Sequence, residues 1–259
     1  MKTDKDRLFR KLDRIPGAPN FVRYNFEEVA KTVKAYVQFA KGMPTVSYAA
    51  GVTIIKDLVL GLTGPDQAVL AALRMKESPS REAVITFVKA FCEYAATRNY
   101  QATPSYSDFS VSFQIGRELY VPVKPTLVAR EEGQLKPTFV FGWKTVPLTR
   151  FQRRLLMTIL EDAIFSLTDF CDSDAEIVFL PEDDAGVRKP EIWHRGDYEL
   201  LSEVELRNQM EVFLAAREAA YPIIADWINA QKGNALVEPV RVEDPNQLRL
   251  EIPMPPTSD

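Results

Sequence analysis

A chain of 259 residues with 46% hydrophobic content can bury a substantial core, and its length suits one large domain or two of ordinary size. The formal charge of −4 conceals a split, +6 over residues 1–100 and −10 over the remainder, so the front half alone could face an anionic partner such as nucleic acid. Two cysteines without short-spaced companions exclude a disulfide framework and a cysteine zinc site, and a charged N-terminus with no long apolar run predicts a soluble, cytoplasmic protein without a membrane contact.

Residues 1–10 are charged throughout, and residues 15–20, with two prolines and a glycine, read as a connector. Asn25 stands as the N-cap of a helix reaching Lys41, which Gly42 and Pro44 stop. Residues 47–60 form an apolar helix. Gly64 and Pro65 open another that runs to Met75, with proline at the favoured first position. A fourth starts near Pro79 and carries Val84, Phe87, Val88, Phe91 and Tyr94 at spacings of three and four. These helices predict a bundle over residues 1–103.

Near Pro104 the period changes from 3.6 to 2, which places a domain boundary there. Phe109, Val111, Phe113 and Ile115 alternate with polar residues as in a strand with one wet face. Residues 119–130 read as a second strand, 131–134 as a turn and 137–144 as a third strand. Thr149, with Gln152 three residues later, opens a helix carrying Phe151, Leu155, Ile159 and Ala163 on one face. Strands at 175–180 and 189–194 follow, then a helix capped by Ser202 and Glu205 that continues toward Trp227. From Gln231 the chain holds five prolines and reads as an unstructured tail, in which residues 247–252 could add a strand to a sheet or dock on a partner. The expected organisation is therefore a helical domain (1–103), an α/β domain with a mixed sheet (104–230) and a Pro-rich tail (231–259).

The succession from residue 109, three strands, a helix and two strands, resembles the core of the PD-(D/E)XK nuclease family. In that family one strand carries Pro-Asp and the next carries an acidic residue, any residue and lysine. Here Pro125-Thr126 and Gly142-Trp143-Lys144 stand in those places, and Gln152 is similar in placement to a helical glutamine of the RecB-like branch, whose later tyrosine is Leu156 here. The resemblance implies a restriction-endonuclease-like α/β domain. It also implies a lost activity, because the family's two acidic residues hold magnesium, whereas Thr126 offers a neutral hydroxyl and Gly142 no side chain. No metal, no cofactor and no catalytic residue are expected. An unrelated three-stranded meander followed by a helix would read the same way.

What remains is cationic. Lys144 precedes a helix whose first turn holds Arg150, Arg153 and Arg154 beside Gln152, where the macrodipole is already positive and acidic residues are normally favoured. Two readings are open: an anion site suited to phosphate or a partner's carboxylates, or cations paired with acids of the same half, such as Glu182, Asp183 and Asp184. His194 is the only histidine and reads as a packed or surface residue. Tyr100, Tyr106, Phe109 and Phe113 could stack on bases or fill an interface. Glycine-rich phosphate loops are absent. The expectation is a non-catalytic nucleic-acid-associated or assembly module. The alternatives are a protein-interaction subunit, using the helical part or the tail, and an enzyme of unrecognised type.

Overall fold

The computed structural model describes residues 4–42, 47–101 and 109–235. Six helices come first: α1 (Asp4–Asp13), α2 (Ala18–Arg23), α3 (Val29–Lys41), α4 (Ala49–Val59), α5 (Pro65–Leu73) and α6 (Arg81–Ala95). Strands β1 (Tyr100–Gln101), β2 (Val111–Gly116), β3 (Leu119–Val123), β4 (Leu127–Glu131) and β5 (Gln134–Phe141) follow. Then come α7 (Arg150–Leu160), a π-helical turn (Glu161–Phe165), β6 (Glu176–Phe179), β7 (Glu191–His194) and α8 (Glu203–Ala235). The main sheet has the order β1-β4-β5-β6-β7, and β2 and β3 pair separately. Strands β5 and β6 are parallel and joined through α7, and the other neighbours are antiparallel. The chain is thus a mixed helix-and-sheet structure built on a mixed sheet.

Alternation along the strands assigns the two faces of the sheet. Leu127, Ala129, Val140, Val178 and Leu180 pack with α4, α5 and α6. Val128, Phe139, Ile177, Phe179 and Trp193 pack with α7 in a second core that also takes in α1, α2, α3, α8 and the β2–β3 pair. The boundary expected at 103/104 falls in residues 102–108, outside the described residues, as does Pro44. On either side of that gap the packing is shared, since α4–α6 supply one cover of the sheet and α3 lies along α8.

Several local expectations need correction. The charged start folds as α1 because Leu8 and Leu12 lie one turn apart and are buried, and the connector contains α2, with Pro19 in its first turn. Asn25 does not cap α3, which starts at Val29 after Glu28. Asn25 is instead buried at the end of α2, where its Nδ2 donates to the Phe21 carbonyl at 2.9 Å. The strand expected over 119–130 is two strands in two sheets, broken at Lys124-Pro125-Thr126. Proline has no N–H for a ladder, and the Thr126 hydroxyl accepts from the Val140 N–H at 2.9 Å. The next strand stops at Phe141, short of Lys144. The hairpin between β4 and β5 turns at Glu132 (φ 52°) and Gly133 (φ 83°), the two left-handed residues that a tight hairpin requires. Helix α8 runs to Ala235, past the expected start of the tail, and residues 236–259 lie outside the described residues.

Arg188 ties these layers together at the carboxyl ends of β5 and β6. Its side chain is 1% exposed, and all five guanidinium hydrogens find acceptors. Nε donates to Thr86 Oγ1 at 3.1 Å and Nη1 to the Gly142 and Leu180 carbonyls. Nη2 donates to the Tyr48 hydroxyl at 3.0 Å and to Glu182 Oε1 at 2.6 Å. Replacing Arg188 with Met leaves two buried carbonyls and a carboxylate without their donor, so urea denaturation should show a loss of about 3 kcal/mol or more. A loss under about 1 kcal/mol would show that the cluster is dispensable.

Candidate anion-binding site

Helix α7 begins where it does because its cap is reciprocal. Thr149 Oγ1 accepts from the Gln152 N–H at 3.2 Å and Gln152 Oε1 accepts from the Thr149 N–H at 3.0 Å, an arrangement that stabilises a helix start by about 1 kcal/mol. The rest of the Gln152 amide faces inward. Nε2 donates to the Arg23 and Asn25 carbonyls at 3.1 and 2.9 Å, and the residue is fully buried. Gln152 therefore cannot meet a ligand from this position. It fastens the end of α2 to the first turn of α7.

The four expected cations differ in what they already hold. Lys144 is exposed and pairs with Glu182 at 3.1 Å. Arg153 is clamped: Nε donates to the Leu148 carbonyl at 3.1 Å and Nη1 to the Tyr198 hydroxyl at 2.9 Å. Its guanidinium lies 4.7 Å above the Trp193 ring, and Glu191 is 3.8 Å away. Arg154 reaches the Glu199 and Leu200 carbonyls, both at 3.1 Å, and Glu205 at 3.3 Å, which secures the entry to α8. Arg150 is exposed and, among the described residues, has no ion-pair or hydrogen-bond partner. The pairing reading thus accounts for Lys144, Arg153 and Arg154, although their acids are Glu182, Glu191 and Glu205, and Asp183 pairs with Lys189 instead.

Arg150, Arg153 and Arg154 nonetheless line one open cleft of about 350 Å³, closed by Leu148, Asp197, Tyr198 and Glu199. The cleft lies at the N-terminus of α7, where exposed amides and the helix dipole favour an anion. Below it runs a ladder of rings: Trp143 to Phe179 at 5.6 Å, Phe179 to Trp193 at 4.5 Å and Trp193 to Tyr198 at 5.2 Å. A fifth cation, Arg23, lies at the end of α2 with its guanidinium 5.2 Å from the Trp143 ring. Its place beside α7 depends on the Gln152 bridge across 129 positions of sequence, which no local pattern announces.

The residues that resemble the nuclease motif do not fit a magnesium ion. Thr126 spends its hydroxyl on the Val140 N–H. A Cβ at Gly142 would stand 2.6 Å from a Tyr48 ring carbon and 2.8 Å from one of Phe87, so no carboxylate could be carried there without displacing both rings. Among the described residues no group of three or more His, Cys, Asp or Glu is placed to hold a metal. His194 sits half-exposed on β7, with Nδ1 3.5 Å from Asp174. Of the aromatics considered for stacking, Phe113 is buried, Phe109 packs on Phe170 and Tyr106 lies outside the described residues.

A second polar cluster, not read from the sequence, lies at the opposite end of the sheet under the end of α6. Glu176 is fully buried and Glu131 nearly so. Arg98 pairs with both, and Lys136 lies 2.8 Å from Glu131 and 3.6 Å from Glu176. Tyr94 donates its hydroxyl proton to Glu176, and the Tyr100 hydroxyl lies 3.3 Å from that of Tyr94. Burial raises both tyrosines well above the ordinary range. Two carboxylates against two cations leave no net charge, although Glu176 Oε1 and Arg98 Nε are buried without a hydrogen-bond partner. Burial alone would raise the Glu131 pKa, but the hydrogen bonds from Lys136 and the Asn99 N–H and the nearby Arg98 charge outweigh it and hold the group below its usual value. A carboxylate depressed by folding stabilises above its unfolded pKa, about 4.3, and loses that contribution as pH falls through the folded value. Glu131→Gln should therefore lower the melting temperature at pH 7 and flatten its decline between about pH 5 and 3 relative to the unmodified protein. An unchanged acid profile would show that Glu131 contributes nothing to acid stability.

No family model matches the chain, and no curated protein or solved structure does either. Among the described residues, no helix is long and apolar enough to cross a membrane.

Proposed function

We propose that the protein is a non-catalytic binding module on a degenerate nuclease-like α/β fold, and that it engages the phosphate backbone of nucleic acid at the first turn of α7. The observation that carries this reading is the cleft in which Arg150, Arg153 and Arg154 converge, with Arg150 left unpaired at a positive helix terminus. Arg153 and Arg154 are held in place by Trp193, Tyr198 and Glu205, so little side-chain entropy is lost when an anion arrives. The lost acidic positions at 126 and 142 fit a binder better than a nuclease. Cleavage of DNA or RNA in the presence of magnesium is not expected.

The test is the salt dependence of binding to oligonucleotides of mixed sequence. Arg150→Glu should weaken binding for all sequences alike and reduce the slope of log K against log salt by about one for the lost phosphate contact, with the melting temperature unchanged. Arg153→Glu with Arg154→Glu should weaken binding and also lower the melting temperature, because those two side chains hold Tyr198, Glu191 and Glu205. Absence of salt-sensitive binding, or full affinity in Arg150→Glu, overturns the proposal. A second reading, a subunit that docks protein through its helical part, is favoured by Leu62, Leu70 and Leu73, which stand 72%, 47% and 40% exposed at and before α5. Aspartate at Leu70 and Leu73 would abolish such docking and leave nucleic-acid binding intact.

A further inference from the structure

Resting on that reading, we propose that the nucleic acid taken is single-stranded, with one base stacked on the Arg23–Trp143 pair while its neighbouring phosphate meets Arg150. Arg23 is exposed, and its guanidinium lies over the Trp143 ring at 5.2 Å. Among the described residues it has no carboxylate partner. The guanidinium carbon stands over the indole, and the side chain is open to solvent. A supported guanidinium plane is a stacking platform for an unpaired base, because the π-face of any base can lie on it and the charge adds a cation–π contribution.

The platform and the free cation belong to one surface. Gln152 binds the Arg23 and Asn25 carbonyls while it caps α7, so the end of α2 is fixed against the turn that displays Arg150. Trp143 is itself immobilised, with Phe141 at 5.3 Å and Phe179 at 5.6 Å. A base that stacks here must have left its own neighbours. A duplex keeps its bases stacked and offers the protein only phosphates and groove edges, so it can use Arg150 but not the platform.

Fluorescence anisotropy with a labelled fifteen-nucleotide oligothymidine and with a blunt duplex of the same length, at one salt concentration, separates the possibilities. The single strand should bind at least about tenfold more tightly. Arg23→Ala should lower its affinity by about tenfold with little effect on the duplex, in line with the loss of one stacked base. Arg23→Lys keeps the charge and removes the plane, so it should lose nearly as much. Arg150→Ala should weaken both ligands. Equal affinity for strand and duplex, or full single-strand affinity in Arg23→Lys, overturns the stacking site and leaves the backbone-binding function standing. Failure of both ligands to bind, or single-strand binding that does not weaken when the titration is repeated at higher salt, overturns the function itself, and the stacking site with it. Arg23 is exposed and outside both cores, so these variants should fold, and circular dichroism and the melting temperature check that they do.

Discussion

The buried guanidinium of Arg188 is the constraint on which the arrangement of layers depends. It joins residues that are far apart in sequence: Tyr48 before α4, Thr86 on α6, the carbonyls of Gly142 and Leu180 at the ends of two parallel strands, and Glu182 just beyond. A guanidinium removed from water is tolerated only when its donors are satisfied, so the five acceptors must be delivered together. That requirement explains the glycine at 142. Tyr48 and Phe87 come close enough to fill the space of a side chain there, and the same approach brings the Tyr48 hydroxyl to Arg188. Gly142 is therefore a packing contact between the helical cover and the sheet, and its lack of a side chain follows from that contact.

Fixing the ends of β5 and β6 also fixes the start of α7, and from this the charge on that surface follows. The crossover leaves β5 at Phe141 and begins its helix at Arg150, so the cap at Thr149 and Gln152 stands beside the strand ends. The buried Gln152 then serves two tasks with one amide, closing the cap and anchoring α2. Three arginines in the first turn would repel the dipole and one another if all were free. Arg153 and Arg154 are drawn aside by the segment leading into α8, and only Arg150 remains open. A rigid partly paired cation presents its remaining donors in a defined direction, whereas a free lysine does not.

How much of this was legible in the sequence depends on the range of the interactions. The amphipathic helices α3 to α7, the reciprocal caps at Thr149 and Ser202, the Glu132–Gly133 hairpin and the alternation of β2 are set by neighbours within a few positions, and they could be read. The break at Pro125 could have been read from the proline alone, since its lack of an N–H is a local fact. A good capping residue such as Asn25 serves equally well at the end of one helix or the start of the next, and the choice is made from distant helices by Gln209, which donates to Asn25 Oδ1, and Gln152, which donates to its carbonyl. The charge-bearing residues were found by composition, but their partners were not. Arg154 with Glu205 spans 51 positions, and Arg23 reaches α7 only through the folded chain.

The two ends of the sheet manage charge in opposite ways, and the contrast says where a ligand can act. At the amino ends of β5 and β6, the charges of Glu131 and Glu176 are matched by Arg98 and Lys136, so an added ion would have to compete with those pairs. At the carboxyl ends Arg188 and Glu182 form a buried pair, and the pairs made by the first turn of α7 lie outside it. The Arg153 and Arg154 side chains are 28% and 19% exposed, and among the described residues Arg150 and Arg23 have no acidic partner. Binding an anion there requires little desolvation and adds to a field that the α7 dipole already supplies. On the proposed reading, a mutation at Glu131 or Glu176 should therefore register as stability and one at Arg150 or Arg23 as affinity, because among the described residues those two cations lack an acidic partner.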